Sequence, residues 1–367
     1  MKRNLIHALT VVATIACLFA LNSFFEPHFD FNSFWGAGRA LLQGRNPYDY
    51  SVIKEILSPR ATANFNYPLY IAALLIPLGL FDLETAKNLW LTASEILLVL
   101  SVYLLTRGRG TTRNLVLSTV ACAVFVPTLV AFFDQQTSML ALFLLAVVYY
   151  GLERNQHALA GVALALSLVK PQTVALLALV TLLRLHRRGV IAFGVTLASM
   201  LIFAFGLMPE WPVHWWASAT WISREAGTAV PTIWGLSWYL TSQYWLGILL
   251  FVGLLGTLLL DTGFPFVLTV GLLLPVYMKP YDLVLLFIPA LQRPDRKLTA
   301  VLVVVSYLLL AYIALSGGGG DVFILVTLIT LAYLLHDDRL LMIERVRRYR
   351  SYIARGFGLR SNHSNKR

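Results

Sequence analysis

The chain has 367 residues, of which 58% are hydrophobic and 13% are charged, and its mean hydropathy is +0.72. Apolar runs of about 20 residues recur along it, which excludes a soluble core and predicts an all-α polytopic membrane protein with about ten to twelve transmembrane helices. Much of the net charge of +11 lies beyond His336. We assign it to a basic cytoplasmic tail over residues 337–367 that contacts membrane lipids, and not to nucleic-acid binding. Residues 1–336 are expected to form one membrane domain.

The first apolar run, from Leu5 to Phe25, follows Lys2 and Arg3 and predicts an uncleaved helix with its N-terminus in the cytoplasm. Residues 25–66 then form a polar, aromatic first outer loop. This loop contains Asp30, a carboxylate that comes directly after a membrane anchor. Asp30 fits either an ordinary helix N-cap or a general base in a partly desolvated cleft.

Short basic links are expected in the cytoplasm under the positive-inside rule. These links are 107–109, Arg154, 186–188 and 293–297. The unusual polar motifs then share the outer face of the membrane. They are Asp134-Gln135-Gln136, Lys170-Pro171, a Trp-rich loop over residues 209–238, Lys279-Pro280-Tyr281-Asp282 and residues 317–321.

Two segments do not fit this topology cleanly: residues 67–105 hold two apolar stretches whose two full crossings would place Arg107 outside, and residues 158–185 are too short for two full spans. In residues 67–105, either the stretch from Pro68 to Pro77 is re-entrant or interfacial, or the loop charges mislead. In residues 158–185, Lys170-Pro171 interrupts the apolar run and predicts a bent helical hairpin whose tip reaches an outer cavity.

Each polar side chain of the outer face has two interpretations. Lys170 either snorkels to the interface or serves a site, because an unpaired charge within the membrane is costly. Lys279 either pairs with Asp282 or presents a cation to a lipid phosphate. Gln135 and Gln136 either begin a helix or hydrogen-bond a sugar.

The Trp-rich loop also contains His214 and Arg224. Its Trp residues fit an aromatic belt at the membrane interface or a surface that stacks on sugar or polyprenyl groups. No second His or carboxylate accompanies His214 at metal-ligand spacing, so we expect no metal site. Cys17 and Cys122 lie in apolar runs and are expected to be packing residues. Nucleotide-binding and hydrolase signatures are missing from the sequence.

Several short motifs carry a family resemblance through their order and spacing. They are Asp30 to Asp49, Asn66-Tyr67-Pro68 with Pro77-Leu78, Asp134 to Met139, and Leu159 through Pro171. The chain resembles the C-type, polyprenyl-phosphate-sugar-dependent glycosyltransferases, and within them family 87, which includes mycobacterial mannosyltransferases. The second half is matched mainly by hydropathy and by Lys279 to Asp282. Asp134-Gln135 stands where the family usually shows Gly-Gln, which puts a charge near the expected cavity.

The resemblance implies a C-type architecture and an inverting enzyme of the cell membrane without a cofactor. Such an enzyme transfers a hexose, with mannose favoured, from a polyprenyl-phosphate sugar to a lipid or glycan hydroxyl on the outer face. Asp30 matches the general base. Lys170, Lys279 and Arg224 are candidates for the cations that the phosphate leaving group needs, and Gln135, Tyr281 and His214 for donor binding.

A transporter or lipid flippase with Lys170 and Asp134 on the substrate path is the main alternative. Transporters usually show internal repeats, and none is evident in this sequence. A noncatalytic assembly subunit is a third interpretation. The identity of the sugar, the acceptor and the oligomeric state stay open at this point.

Overall fold

The structure is a computed structural model. It describes residues 2–58, 60, 64–107, 111–225, 230–258, 263–292 and 297–337, with the backbone alone at 2–11, 29, 219–225 and 337. Most of the expected basic tail, parts of the links 107–109 and 293–297, and the side chain of Arg224 lie outside the described part.

The described residues form eighteen α-helices and three 3-10 helices and contain no strand. The α-helices are α1 (Lys2–Asn22), α2 (Phe29–Leu42), α3 (Tyr50–Leu57), α4 (Leu69–Gly79), α5 (Leu83–Thr106), α6 (Thr112–Ala123), α7 (Val126–Phe133), α8 (Ser138–Glu153), α9 (His157–Leu166), α10 (Pro171–Leu182), α11 (Arg187–Leu207), α12 (Trp211–Glu225), α13 (Ile233–Thr241), α14 (Trp245–Leu258), α15 (Phe264–Gly271), α16 (Phe287–Leu291), α17 (Lys297–Ser316) and α18 (Ile324–Asp337). The 3-10 helices are Ser167–Val169, Pro280–Leu286 and Gly320–Phe323.

Three of the described helices, α5, α11 and α17, are individually long and apolar enough to cross a membrane. Helices α6 and α7 meet the same criterion as a pair that is bent by 67°. Most of the other apolar helices are shorter, with 10–17 residues. The protein is an all-α polytopic membrane protein, which confirms the predicted fold class. The expected ten to twelve crossings stay a prediction.

The polar motifs lie where helices end. Asp134 follows α7, and Lys170 separates the 3-10 helix Ser167–Val169 from α10. Lys279 precedes the 3-10 helix Pro280–Leu286. Irregular backbone at membrane depth is stable only where protein surrounds it or where it lines a polar cavity. Several broken helices that bring charges together are therefore typical of a site within the membrane domain.

Helix α2 is fixed against α4 by close backbone contact. A Cβ atom on Gly38 would lie 2.7 Å from the carbonyl oxygen of Leu75, so only glycine permits this approach. The Arg39 guanidinium donates to the carbonyl oxygen of Gly79 at 2.7 Å. The 11 residues of α4 reach only about 16 Å, well short of a bilayer core. This length agrees with the re-entrant or interfacial alternative for Pro68 to Pro77.

One side of α2 is buried in the protein core. Phe31 and Phe34, three residues apart, are 0% and 1% exposed. This packing orients the helix and leaves Asp30, in its first turn, only partly buried. The segment predicted as the first outer loop thus contains two helices, α2 and α3, and residues 209–238 contain α12 and most of α13.

Candidate active site

Asp30 is not the N-cap of α2. His28 occupies that position, and its Nδ1 accepts a hydrogen bond from the backbone N–H of Asp30 at 3.4 Å. The Asp30 carboxylate instead points to the end of α7, where its Oδ2 accepts from Nε2 of Gln136 at 2.6 Å. The Asp30 side chain keeps 26% of its surface exposed. The carboxylate is therefore oriented by one amide and is accessible for chemistry.

A second carboxylate, Asp134, lies on the other side of His28. Nε2 of the imidazole is 3.6 Å from Oδ1 of Asp134, and Nδ1 is 3.9 Å from Oδ2 of Asp30. The imidazole also packs against the Phe133 ring, with 5.7 Å between ring centroids. The charge that we expected near the cavity from the Asp134-Gln135 motif is thus part of the Asp30 cluster.

Gln135 supports this cluster by side-chain hydrogen bonds to the backbone of Glu26 and His28. Its φ of 53° lies in the left-handed region, which costs a non-glycine residue of the order of 1 kcal/mol. The side chain is buried: Oε1 accepts from the backbone N–H of His28 at 3.0 Å, and Nε2 donates to the carbonyl of Glu26 at 2.9 Å. We therefore expect Gln135 to hold the start of α2, and Gln136 to be the glutamine that acts at Asp30.

Lys170 and Asp282 form a buried ion pair. The Nζ of Lys170 donates to Oδ1 of Asp282 at 2.5 Å and to Oγ of Ser138 at 2.8 Å, and it lies 4.3 Å from the centre of the Tyr281 ring. Thr173 donates to Oδ2 of the same carboxylate at 3.2 Å. Lys170 is 0% exposed and does not snorkel. Its charge holds together the starts of α8, α10 and the 3-10 helix Pro280–Leu286.

Asp282 pairs with Lys170, and Lys279 therefore forms no ion pair with Asp282, its neighbour in sequence. Lys279 is partly exposed, belongs to no ion pair of the described part of the chain, and lies 5.6 Å from the centre of the Tyr277 ring. Tyr277 and Tyr67 are also partly exposed and interact electrostatically with Asp30. The Tyr67 hydroxyl is hydrogen-bonded to the side chain of Gln172. A cation and two phenols therefore accompany the carboxylate.

Burial sets the electrostatics of both carboxylates. It raises the pKa of Asp30, while interactions with His28 and Lys170 oppose this shift. It also raises the pKa of Asp134, where His28 opposes the shift and the charge of Asp30 adds to it. A carboxylate that is more basic than an exposed Asp is better suited to accept a proton near neutral pH. Burial raises the pKa of Tyr67 and of Tyr277, so both phenols stay protonated as donors.

His214 does not contact the Asp30 cluster directly and is connected to Tyr67 through Tyr48. Its ring stacks on Tyr48, with 6.3 Å between centroids and an interplanar angle of 11°, and the Tyr48 hydroxyl donates to the carbonyl of Tyr67 at 2.9 Å. Nε1 of Trp215 donates to the carbonyl of Asn66 at 3.1 Å. Helix α12 therefore holds the segment that carries Tyr67.

The sequence predicted the charged residues of the site and some neutral ones, namely Gln135, Gln136 and Tyr281, but it missed other neutral residues. His28, Tyr67, Gln172 and Tyr277 received no role from the sequence, although Tyr67 belongs to a resemblance motif. In the described part of the chain, no three or more His, Cys, Asp or Glu residues are grouped to hold a metal ion.

Comparison with models of known protein families gives a match. The model of glycosyltransferase family 87 matches residues 65–315, which is more than half of the chain. The matched range includes Tyr67, Asp134, Lys170, Lys279 and Asp282, and it begins after His28 and Asp30. No curated protein matches the sequence.

Proposed function

The chain belongs to glycosyltransferase family 87, and from this membership we propose that it transfers a hexose from a polyprenyl-phosphate sugar to a lipid or glycan hydroxyl. Mannose is the favoured hexose, in keeping with the family resemblance. The observation that carries the proposal is the combination of an accessible, basic carboxylate, Asp30, with Lys279, a cation that forms no ion pair within the described residues.

Asp30 acts as the general base of an inverting transfer. The acceptor oxygen attacks C1 of the hexose, and its proton passes to a carboxylate oxygen of Asp30. The bond between C1 and the phosphate oxygen breaks, and its electron pair leaves with the polyprenyl phosphate. The hydrogen bond from Gln136 holds Oδ2 of Asp30 in place, so that Oδ1 faces the acceptor hydroxyl.

The leaving phosphate needs positive charge and hydrogen-bond donors in place of an acid. Lys279 provides the charge, and the protonated hydroxyls of Tyr67 and Tyr277 provide donors. Lys170 was also a candidate for binding the phosphate, but its charge is neutralised by the ion pair with Asp282. Lys170 therefore supports the site by its contact with the Tyr281 ring. His214 and Arg224 stay predictions for donor binding, the latter outside the described side chains.

Replacing Lys279 by Ala is expected to raise the KM for the lipid donor by about tenfold to a hundredfold, the usual worth of a charge-assisted contact. The KM for the acceptor should change little, because the acceptor binds on the side of Asp30. Steady-state kinetics with each substrate varied in turn would measure both constants. Lys54→Ala on the exposed side of α3 is the matched control, and equal donor KM values in the two variants would refute the assignment.

We place the site on the outer face of the cell membrane, with both termini in the cytoplasm. The ring of His157 stacks on His186 with 3.9 Å between centroids, so the basic links at Arg154 and 186–188 lie together. From His157, α9 and the following 3-10 helix lead to Lys170 in the site. These 13 residues cover about 20 Å, which separates the site from the basic links but is shorter than a bilayer core of about 30 Å.

A panel of donors tests the proposed function. Purified protein in lipid vesicles would receive radiolabelled polyprenyl-phosphate mannose, glucose or arabinose, or the matching nucleotide sugars, together with a membrane-lipid extract as acceptor. Label should move from one lipid-linked donor and from none of the nucleotide sugars. Transfer from a nucleotide sugar would overturn the donor assignment. Movement of intact donor across the vesicle without transfer would favour the transporter alternative.

A further inference from the structure

The imidazole of His28 links the two carboxylates through different atoms. Nδ1 accepts the backbone N–H of Asp30 and caps α2, while Nε2 faces Asp134 at 3.6 Å. A nitrogen that accepts a hydrogen bond carries no proton, so the neutral ring has its proton on Nε2 and directs it toward Asp134. Asp134 thereby selects the tautomer that caps α2, as a carboxylate does when it orients a catalytic or metal-bound histidine.

Protonation of the ring would change both contacts. An imidazolium donates from both nitrogens, so Nδ1 would lose its bond to the backbone N–H of Asp30. The nearest anionic acceptor for the new proton is Oδ2 of Asp30, at 3.9 Å in this structure. In that state the carboxylate would bind the imidazolium, and it would be less available to an acceptor hydroxyl.

We propose that His28 and Asp134 are positioning residues of the transfer reaction: the neutral His28 ring, oriented by Asp134, caps α2 and keeps Asp30 free to act as the base. This inference rests on the proposed function, because it assumes that Asp30 takes the acceptor proton. Neither residue touches the reacting atoms. Protonation of His28 therefore converts Asp30 from a free carboxylate base into one that is ion-paired with the imidazolium.

The groups around the ring define the charges that act on it. Asp30 faces it from α2 and Asp134 from the end of α7. Lys170 before α10 and Lys279 before the 3-10 helix Pro280–Leu286 act on both carboxylates. Phe133 contributes only an apolar ring. Two carboxylates, Asp30 and Asp134, therefore border the imidazole directly, and the two lysines influence it indirectly by acting on these carboxylates.

The pH dependence of kcat/KM tests this proposal in wild type and two variants. Protonation of the His28 ring should lower wild-type activity as the pH is decreased. His28→Asn keeps a good N-cap side chain and should retain activity within a few-fold of wild type at high pH, while its acid limb moves to lower pH and reflects the ionisation of Asp30 alone. Asp134→Asn removes an anion that favours the imidazolium, so its acid limb should move to lower pH.

The direction in which the acid limb of kcat/KM moves in His28→Asn distinguishes this mechanism from titration of Asp30 itself. If the acid limb were the ionisation of Asp30, loss of a positive neighbour would move it to higher pH. An acid limb that stays in place or moves up in His28→Asn would therefore overturn the proposal. At high pH, where wild-type His28 caps α2, the uncapped variant His28→Ala should lose about fivefold to tenfold in kcat. Wild-type kcat in this variant at high pH would also overturn the proposal.

A spectroscopic readout distinguishes this proposal from the proposed function. Nitrogen NMR of histidine-labelled protein, with the His28→Asn spectrum subtracted, isolates His28 from the other histidines. At high pH we expect the tautomer protonated at Nε2 in wild type and a mixture of tautomers in Asp134→Asn. A ring protonated at Nδ1 in wild type would overturn the His28 proposal whatever the activity. Full activity of Asp30→Asn would overturn the base assignment and leave the tautomer result standing.

Discussion

Replacing Asp30 by Asn is expected to lower the rate constant of hexose transfer by about 10²- to 10⁴-fold, the usual contribution of a positioned general base. Asn accepts the hydrogen bond from Gln136 as Asp does, but its amide takes no proton from the acceptor hydroxyl. The KM for the lipid donor should stay within a few-fold of wild type, because we propose that Lys279, and not Asp30, binds the donor phosphate. Measuring kcat and both KM values would resolve these effects.

Asp49→Asn is the matched control for this variant. Asp49 is an exposed carboxylate at the N-cap of α3, where Oδ1 accepts from the backbone N–H of Ser51 at 2.8 Å. Asn serves equally well at an N-cap, so this control should have wild-type rates. Similar losses in both variants would show that the effect of Asp30→Asn is not specific to the base, and full activity of Asp30→Asn would remove Asp30 from the mechanism.

The thermal stability of Asp30→Asn gives an independent check. The pKa of Asp30 is raised by burial, so the folded protein binds this proton more tightly than the unfolded chain does. Such a group stabilises the fold at low pH and opposes folding once the pH exceeds its folded pKa. Asp30→Asn should therefore unfold at a higher temperature than wild type at neutral pH, and the difference should vanish below about pH 4. A lower unfolding temperature at neutral pH would contradict the pKa shift.

Replacing Asp282 by Ala is expected to lower the free energy of unfolding by about 3–5 kcal/mol, the range found when one partner of a buried ion pair is removed. Lys170 is 0% exposed and would keep a buried charge without a counterion. Ser138 and Thr173 would also lose a hydrogen-bond acceptor. Thermal or denaturant unfolding of the purified protein in detergent would measure the loss.

The double variant Lys170→Met/Asp282→Leu separates charge burial from packing. Both charges disappear together, so much of the lost stability should return. Transfer should stay below wild type, because the pair also fixes Tyr281 and the start of the segment that follows Lys279. Equal stability of Asp282→Ala and wild type would refute the buried pair. A double variant less stable than Asp282→Ala would show that packing, and not charge, dominates there.

The charged residues of the site were predictable because a charge in an apolar chain is costly. This argument singled out Asp30, Asp134, Lys170 and Lys279, and the all-α membrane fold and the family resemblance, both confirmed, followed from hydropathy and motif order. The pairing was not predictable: Asp282 is close to Lys279 in sequence, yet it pairs with Lys170, 112 residues away. Such a contact depends on how broken helices meet.

Several neutral residues of the site were not predicted, for a related reason. A histidine or tyrosine in a polar segment incurs no evident cost, so His28 and Tyr277 gave no signal in the sequence. The adjacent residues Gln135 and Gln136 show most clearly what the sequence alone cannot predict. Gln135 adopts a left-handed backbone conformation, which directs its side chain to the backbone of α2 and leaves Gln136 to bind Asp30. Only the folded backbone decides which of the two amides meets the carboxylate.

A single-turnover reaction tests the central claim most directly. Enzyme in excess over radiolabelled polyprenyl-phosphate mannose, with acceptor present, reports the chemical step without contributions from product release. Wild type and Asp49→Asn should convert the donor at the same rate, and Asp30→Asn should be about 10²- to 10⁴-fold slower while still binding the donor. Equal rates in wild type and Asp30→Asn, or no conversion of any lipid-linked hexose by wild type, would contradict a lipid-donor transferase that uses Asp30 as its base.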